Sequence, residues 1–465
     1  MIKNSDTIAA IATAPGVGAV GIVRVSGDDA IGVIGRVFRP FPGDMISHKM
    51  YYGKIFRDDD FIDEVMVCYM KSPRSFTCED CIEIYGHGGM FVLSEVLSTV
   101  IENGARLAEP GEFTKRAFLN GRLNLAQAEA VADLIGAKTA AARRAALRQL
   151  GGGLSHRLKF SRDKILSWLA HIELSIDYPE HEEEARNASE ILGEADAVIN
   201  DLQKLAETVN VGKIIREGVR TAIVGRPNVG KSTLLNAILH ENRAIVHETA
   251  GTTRDVLTEE VRVADVPLVI MDTAGLRETN DPIEKIGIEK THEAALDAEL
   301  ILYVADATEG LTAEDFNTIK SFSKNKNILI LMNKSDITSG HGIQGDGSSV
   351  LELHETEELP PCIPISAKTG EGLEELFSHI RDLFFAGNIG TGGETDIITR
   401  ERHRILLAQA ITHLQNAKRE LHEGIPEDLV SVSLRATYIA LGEILGVEIG
   451  DDIVDRIFAE FCVGK

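Results

Sequence analysis

Gly225-Arg226-Pro227-Asn228-Val229-Gly230-Lys231-Ser232 lies near the middle of this chain. A β-branched run, Val219-Arg220-Thr221-Ala222-Ile223-Val224, precedes it and predicts a buried strand; residues 233–239 follow with the apolar spacing of a helix. Strand, glycine-rich loop and helix are what a phosphate cradle requires. The two glycines let the backbone wrap tightly, so that successive N–H groups and the helix N-terminus point at phosphate oxygens. Lys231 supplies a point charge for the β- and γ-phosphates, and the Ser232 hydroxyl a ligand for Mg²⁺. Asn228, Val229, Gly230, Lys231, Ser232 and Thr233 form the nucleotide-facing run.

Three further motifs follow in order, each after an apolar run. Asp272-Thr273-Ala274-Gly275 comes after residues 266–271 and offers a carboxylate for the Mg²⁺ water shell and a backbone N–H for the γ-phosphate. Asn333-Lys334-Ser335-Asp336 ends the run at 328–332; the Asp336 carboxylate can accept from guanine N1–H and N2–H₂, a donor pair that adenine lacks. Ser366-Ala367-Lys368, after 362–365, would close over the base. Thr252 and Thr253 lie where a γ-phosphate sensor belongs. The set predicts an α/β domain that binds GTP with Mg²⁺.

At 465 residues the chain is too long for one core. No run approaches the length of a membrane span, and residues 1–6 lack a signal-peptide core, so the expected location is cytoplasmic, with no membrane partner. The five cysteines, among them Cys78 and Cys81, read as unpaired thiols. The net charge of −24 argues against broad, nonspecific nucleic-acid binding but leaves room for a local basic patch or for a partner that carries the basic surface.

Residues 1–119 read as an α+β domain, with strands at 20–27, 63–70 and 81–85 and a helix from 91. His87 falls in a glycine turn, Gly86-His87-Gly88-Gly89. From 120 the pattern becomes helical, with Leu125–Ile135 rich in helix formers, continuing to Trp168 and resuming near Ser189. The acidic 177–184 segment between them reads as a solvated connector. Helical sequence occupies 120–215 and 385–465, flanking the nucleotide domain at 216–384, so that domain is expected as an insertion in a helical one.

Thr7-Ile8-Ala9-Ala10-Ile11-Ala12-Thr13-Ala14-Pro15-Gly16, Ser75-Phe76-Thr77-Cys78-Glu79-Asp80, Gly86-His87-Gly88-Gly89, the run from Pro110 to Gly121, and Phe461-Cys462-Val463-Gly464-Lys465 narrow the reading further. With the GTPase motifs they resemble the MnmE (TrmE) family of tRNA-modification GTPases over essentially the whole chain. The resemblance implies a Ras-like P-loop GTPase domain inserted in a helical domain, and an N-terminal domain that binds folate and makes a constitutive homodimer. It also implies an FAD-dependent partner of the MnmG/GidA family, in a heterotetramer or larger complex. Together they would install a carboxymethylaminomethyl or aminomethyl group at C5 of wobble uridine 34 of certain tRNAs. The one-carbon donor would be a tetrahydrofolate derivative, 5-formyl or methylene. The family's folate contacts fall on Arg24, Glu83, Arg122 and Lys465, and Cys462 is a candidate nucleophile. A regulatory GTPase of ribosome assembly is the alternative that the GTPase motifs alone would fit.

Leu276 stands where Ras-type enzymes place a water-orienting glutamine. The resemblance assigns that task to Glu284, acting through bridging water. It also implies K⁺ held by Asn228 and by the segment His247, Glu248, Thr249, Ala250, Gly251, Thr252 and Thr253, with His247, Thr249 and Thr252 as ligands. This K⁺ would bind when two GTPase domains meet. Thr253 is the expected second Mg²⁺ ligand. Arg254 and Arg277 are not expected to act as arginine fingers.

Overall fold

The computed structural model describes residues 6–177, 188–242, 259–271, 295–323, 326–338, 360–385, 396–447 and 449–464. They divide between two compact units, one spanning Met1–Ile135, Ala146–Gln203 and Ile405–Lys465, the other Gly136–Ala145 and Lys204–Arg404.

The first unit opens with β1 (Ile8–Ile11), β2 (Val20–Ser26), α1 (Ala30–Val37), β3 (Phe38–Arg39), β4 (Met50–Arg57), β5 (Asp60–Met70), β6 (Cys81–His87), α2 (Met90–Glu102), β7 (Arg106–Leu107), α3 (Glu112–Leu119) and α4 (Leu125–Ile135). The strands form one sheet in the order β3-β4-β5-β6-β2-β1-β7. Its pairs are antiparallel, except that β7 runs parallel to β1. Alternation sorts the side chains. Val23, Val25, Val65, Val67, Ile82 and Ile84 share a buried core with Val33 and Ile34 of α1 and Leu93 and Val96 of α2. The intervening residues face the other way, and the register sets Ala10, Arg24, Glu83, Cys68 and Met50 in one row across β1, β2, β6, β5 and β4. His87 is the last residue of β6, so the glycine turn predicted around it begins only at Gly88.

Helices follow: α5 (Ala140–Leu150), α6 (Gly153–Asp177), α7 (Ala188–Ala206) and α8 (Val209–Glu217). The helix expected to run to Trp168 continues to Asp177. In the second unit β8 (Val219–Val224), α9 (Lys231–Asn242), β9 (Glu259–Val263), β10 (Val266–Ile270), β11 (Leu300–Asp306), α10 (Ala313–Ser323), β12 (Asn327–Asn333), α11 (Ser335–Thr338), β13 (Cys362–Pro364) and α12 (Leu373–Phe385) succeed one another. Their sheet order is β13-β12-β11-β8-β10-β9, parallel except for β9 against β10. Every residue of β11 is buried, as expected of a central parallel strand covered on both faces. Ile214 and Ile215 of α8 and Ala141 and Ala142 of α5 join the apolar core of this unit. The chain then returns to the first unit through α13 (Glu401–His422), α14 (Glu427–Leu445) and α15 (Asp451–Ala459). There α6 lies along α14, with Leu154, Leu158, Ile165 and Trp168 buried on one helical stripe.

Candidate active site and candidate cofactor pocket

β8 is flanked by β10 and β11, and its carboxyl end delivers the loop that opens α9, the position at which α/β sheets bind phosphates. Two glycines are required there. A Cβ on Gly225 would lie 2.2 Å from the Val304 carbonyl oxygen, and one on Gly230, at φ +98°, would lie 2.3 Å from Asn333 Nδ2. Asn228 also takes a left-handed φ of +64°. The Lys231 ammonium donates to the Gly225 and Arg226 carbonyls at 2.8 and 2.7 Å, inside the curl of the loop. Burial pulls its pKa down, so an anion in the cradle would favour the charged form. Lys231, Ser232 and Thr233 form the first turn of α9, where backbone N–H groups lack intrahelical acceptors.

The loops after β12 and β13 are joined to this cradle. Asn333, 3% exposed, donates from Nδ2 to the Val229 carbonyl at 2.7 Å and accepts at Oδ1 from the Ala367 N–H at 2.9 Å. Ser366 Oγ donates to Asp336 Oδ1 at 2.8 Å and orients that carboxylate, which keeps lone pairs for further donors. Lys334 Nζ donates to Asp306 Oδ2 at 2.7 Å. Although burial raises the Asp306 pKa, the bonds from Lys334 and Thr308 hold it below the usual carboxylate value. Lys368 is exposed at the edge of this loop.

One anchor is absent from the motif reading. Arg226 pairs with Asp315 at 3.2 Å and Glu309 at 3.1 Å. Asp315 also accepts from Tyr303 Oη at 2.6 Å and from the Thr312 N–H at 2.8 Å. The loop is thereby fixed to β11 and α10. A Thr-x-x-Asp pattern at 312–315, a capping signal, was the clue available in the sequence.

In the first unit, four stretches distant in sequence meet. Arg24 donates through Nη2 and Nε to Glu83 Oε1 at 2.8 and 3.0 Å, and through Nη1 to the Gly464 carbonyl at 3.3 Å. Tyr85 Oη donates to Glu83 Oε2 at 2.5 Å. Burial first, then the Glu83 bond, raises the Tyr85 pKa. The Phe76 ring is within cation–π reach of two guanidinium groups, 5.6 Å from Arg24 Cζ and 5.1 Å from Arg122 Cζ. Arg122 Nη1 donates to the Ser75 carbonyl at 2.7 Å. The tail is seated closely: Gly111 N–H donates to the Cys462 carbonyl at 3.3 Å, and a Cβ on Gly464, at φ +91°, would lie 2.2 Å from the Ile11 carbonyl oxygen. Cys462 is exposed; Cys68, beside Glu83 in the sheet, has its pKa raised by burial and by that carboxylate.

Comparison with known proteins gives the family. A family model for the MnmE helical domain matches residues 125–462, and one described as the GTP-binding protein TrmE N-terminus matches residues 7–122. The chain belongs to the MnmE family. Its relatives include "tRNA modification GTPase MnmE" of Desulforamulus reducens, 46% identical over 99% of each chain. The protein of the same name from Enterococcus faecalis is 45% identical over 99% of this chain and 98% of its own. The chain is accordingly a GTPase.

Of the predicted site residues, the fold gathers Asn228, Val229, Gly230, Lys231, Ser232, Thr233, Asn333, Lys334, Asp336, Ser366, Ala367 and Lys368 on connected loops of the second unit. It gathers Arg24, Glu83, Arg122 and the 462–464 segment in the first. His247, Glu248, Thr249, Ala250, Gly251, Thr252, Thr253, Asp272, Thr273, Ala274, Gly275, Glu284 and Lys465 lie outside the described residues, as do Arg254, Leu276 and Arg277. Sequence reasoning missed Tyr85 and the aromatic role of Phe76; the alternation Glu83, Tyr85 along β6 was a usable signal. Among the described residues no helix is long and apolar enough to cross a membrane.

Proposed function

We propose that this GTPase works in tRNA modification, coupling GTP hydrolysis to addition of a carboxymethylaminomethyl or aminomethyl group at C5 of wobble uridine 34. The one-carbon unit derives from a tetrahydrofolate derivative, and an FAD-dependent MnmG/GidA-type protein is the partner, in the cytoplasm. The observation that carries the reading is the convergence of Arg24, Glu83, Arg122 and the 462–464 tail around Phe76, remote in sequence from the nucleotide loops. That donor set suits a folate. Two guanidinium groups match its carboxylates, Phe76 offers an aromatic wall, and Glu83 suits the donor edge of the pterin. Three of the roughly four acceptor sites of Glu83 are taken by Arg24 and Tyr85, so a two-donor edge requires the Tyr85 hydroxyl to turn away. Lys465 adds a cation at the tail, and Cys462 stands as the nearby thiol nucleophile.

In the nucleotide domain Ser232 and Thr253 would hold Mg²⁺, and Asn228, His247, Thr249 and Thr252 would hold K⁺; bound there, the cations would supply positive charge against the phosphates. Lys231 pairs with the β- and γ-phosphates, Asp336 selects guanine, and Glu284 orients the attacking water. Residues 1–119 form the folate-binding and dimerisation domain, 120–215 and 385–465 the helical domain, and 216–384 the GTPase domain. A second copy of the chain covers the outer face of β4 and β5, where Met50, Tyr52 and Met66 are 40%, 66% and 43% exposed beside the folate row.

Nucleoside analysis by mass spectrometry of tRNA from cells lacking the protein tests the reading. C5-modified wobble uridine should disappear, return with the wild-type gene, and not return with Asp272→Ala or Arg24→Ala. An unchanged profile would sink it and favour a ribosome-assembly switch.

A further inference from the structure

Both sites leave unused a concentration of positive charge. Between residues 134 and 172 lie eight Lys or Arg and a single acid, Asp163, in a protein whose net charge is −24. Four of these cations lie on α6, where Arg162 is buried and Lys159 and Lys164 reach the surface. The buried stripe of Leu154, Leu158, Ile165 and Trp168 leaves His156, Lys159 and Phe160 exposed and Lys164 half-buried beside them. Phe160 keeps 59% of its surface accessible, and Lys164 Nζ lies 5.2 Å from its ring centroid, one helical turn along. Arg157 is tied to Asp201 at 2.7 Å, whereas among the described residues no carboxylate pairs with His156, Lys159 or Lys164.

The first turn of α6 carries no acid. Protein interfaces centre on desolvated apolar residues, with charges depleted there. Here the Lys164 ammonium stands over one exposed ring, and Lys159 is exposed on the residue before it, which is the chemistry of a polynucleotide: cations for phosphates and a ring for an unstacked base. We propose that the amino-terminal half of α6, through Lys159, Phe160 and Lys164, docks tRNA. The inference rests on the tRNA reading above and gives it a surface on an otherwise acidic chain.

The test uses the full-length protein and bulk deacylated tRNA, with binding followed from about 50 to 200 mM salt. The double variant Lys159→Gln/Lys164→Gln should lower the slope of log affinity against log salt by roughly 1.5, about 0.7–0.9 for each phosphate no longer neutralised. Phe160→Ala should weaken binding about tenfold with the slope unchanged, the loss of one stacked base. GTP hydrolysis at the wild-type rate checks that each variant is folded. Wild-type affinity and slope in these variants would overturn the proposal, as would a wild-type protein that does not bind tRNA. Loss of modified uridine in cells with tRNA binding intact would also overturn it, by assigning the face to a protein. The modification reading fails separately, if deleting the gene leaves the nucleoside profile unchanged.

Discussion

Cys78 is held at φ +61°, a left-handed conformation that side chains with a Cβ adopt at a cost of about 1–2 kcal/mol. It stays there because the turn on either side is over-determined: Ser72 Oγ donates to its carbonyl at 2.8 Å, and the next N–H, of Glu79, donates to Thr77 Oγ1 at 3.2 Å. The same turn carries Phe76, whose ring both Arg24 and Arg122 approach. Cys78→Gly removes the Cβ strain at the price of some extra unfolded-state entropy, so a net gain of about 0.5–1 kcal/mol is expected from urea unfolding. No gain would mean the backbone relaxes without strain. The sequence shows Cys78 only as a thiol two residues from Phe76; its conformation comes from one bond within the motif, Glu79 to Thr77, and one from Ser72 outside it. Asn333 makes the same point. It is legible as part of the guanine motif, but its amide bridges Val229 and Ala367, a role that needs three loops brought together.

At the scale of elements, α3 and β7 are held to the loop carrying Phe76 by a cluster of charges. Arg116 is 4% exposed and pairs with Asp6 at 2.8 Å, Glu112 at 2.9 Å and Glu79 at 3.2 Å; Arg106 adds a bond to Glu112 at 2.6 Å. Glu79 also accepts from Ser26 Oγ at 2.9 Å, which ties the loop to β2. Burial alone would raise the pKa values of Asp6 and Glu112, but the arginine bonds outweigh it and both stand below their ordinary 3.8 and 4.5. As pH falls through those ordinary values the unfolded chain takes up protons first, so this stabilisation is complete above them and fades toward the depressed folded-state values. Glu112→Gln should lower stability at neutral pH by about 3 kcal/mol, since Asp6 and Glu79 still face the buried Arg116. It should also flatten the dependence of the urea midpoint between pH 7 and pH 3. An unchanged pH profile would remove Glu112 from the account. Strand and helix patterns announced β2, β5, β6 and α4, whereas β1, β4 and α3 went unread; α3, with Glu112, Thr114 and Arg116 buried, has polar residues where a core-facing helix is expected to be apolar.

Across the whole molecule the tail is the clearest case of placement by tertiary structure. Phe458 and Phe461 pack with Leu125 and Ala128 of α4, and this seats Gly464 against β1 and its carbonyl on Arg24. Gly464→Ala would set a Cβ 2.2 Å from the Ile11 carbonyl oxygen at φ +91°. The tail should lift, and binding of 5-formyltetrahydrofolate, measured by calorimetry, should weaken at least tenfold while GTP hydrolysis stays at the wild-type rate. Equal loss of both, with a lowered melting temperature, would mean the variant disturbs the fold instead. The nucleotide fold was legible in the residues alone, because the loop from Gly225 to Ser232 joins β8 directly to α9 and its chemistry is local. The sequence also determined the family, through long strings that occur together. The resemblance had named Arg24, Glu83 and Arg122, but that Phe76, Tyr85 and the Gly464 carbonyl stand with them is visible only in three dimensions. Arg24, Phe76, Glu83, Arg122 and Gly464 are brought together by strand register and by a helical tail returning from the far end of the chain, and side chains that meet only through packing leave no spacing to read.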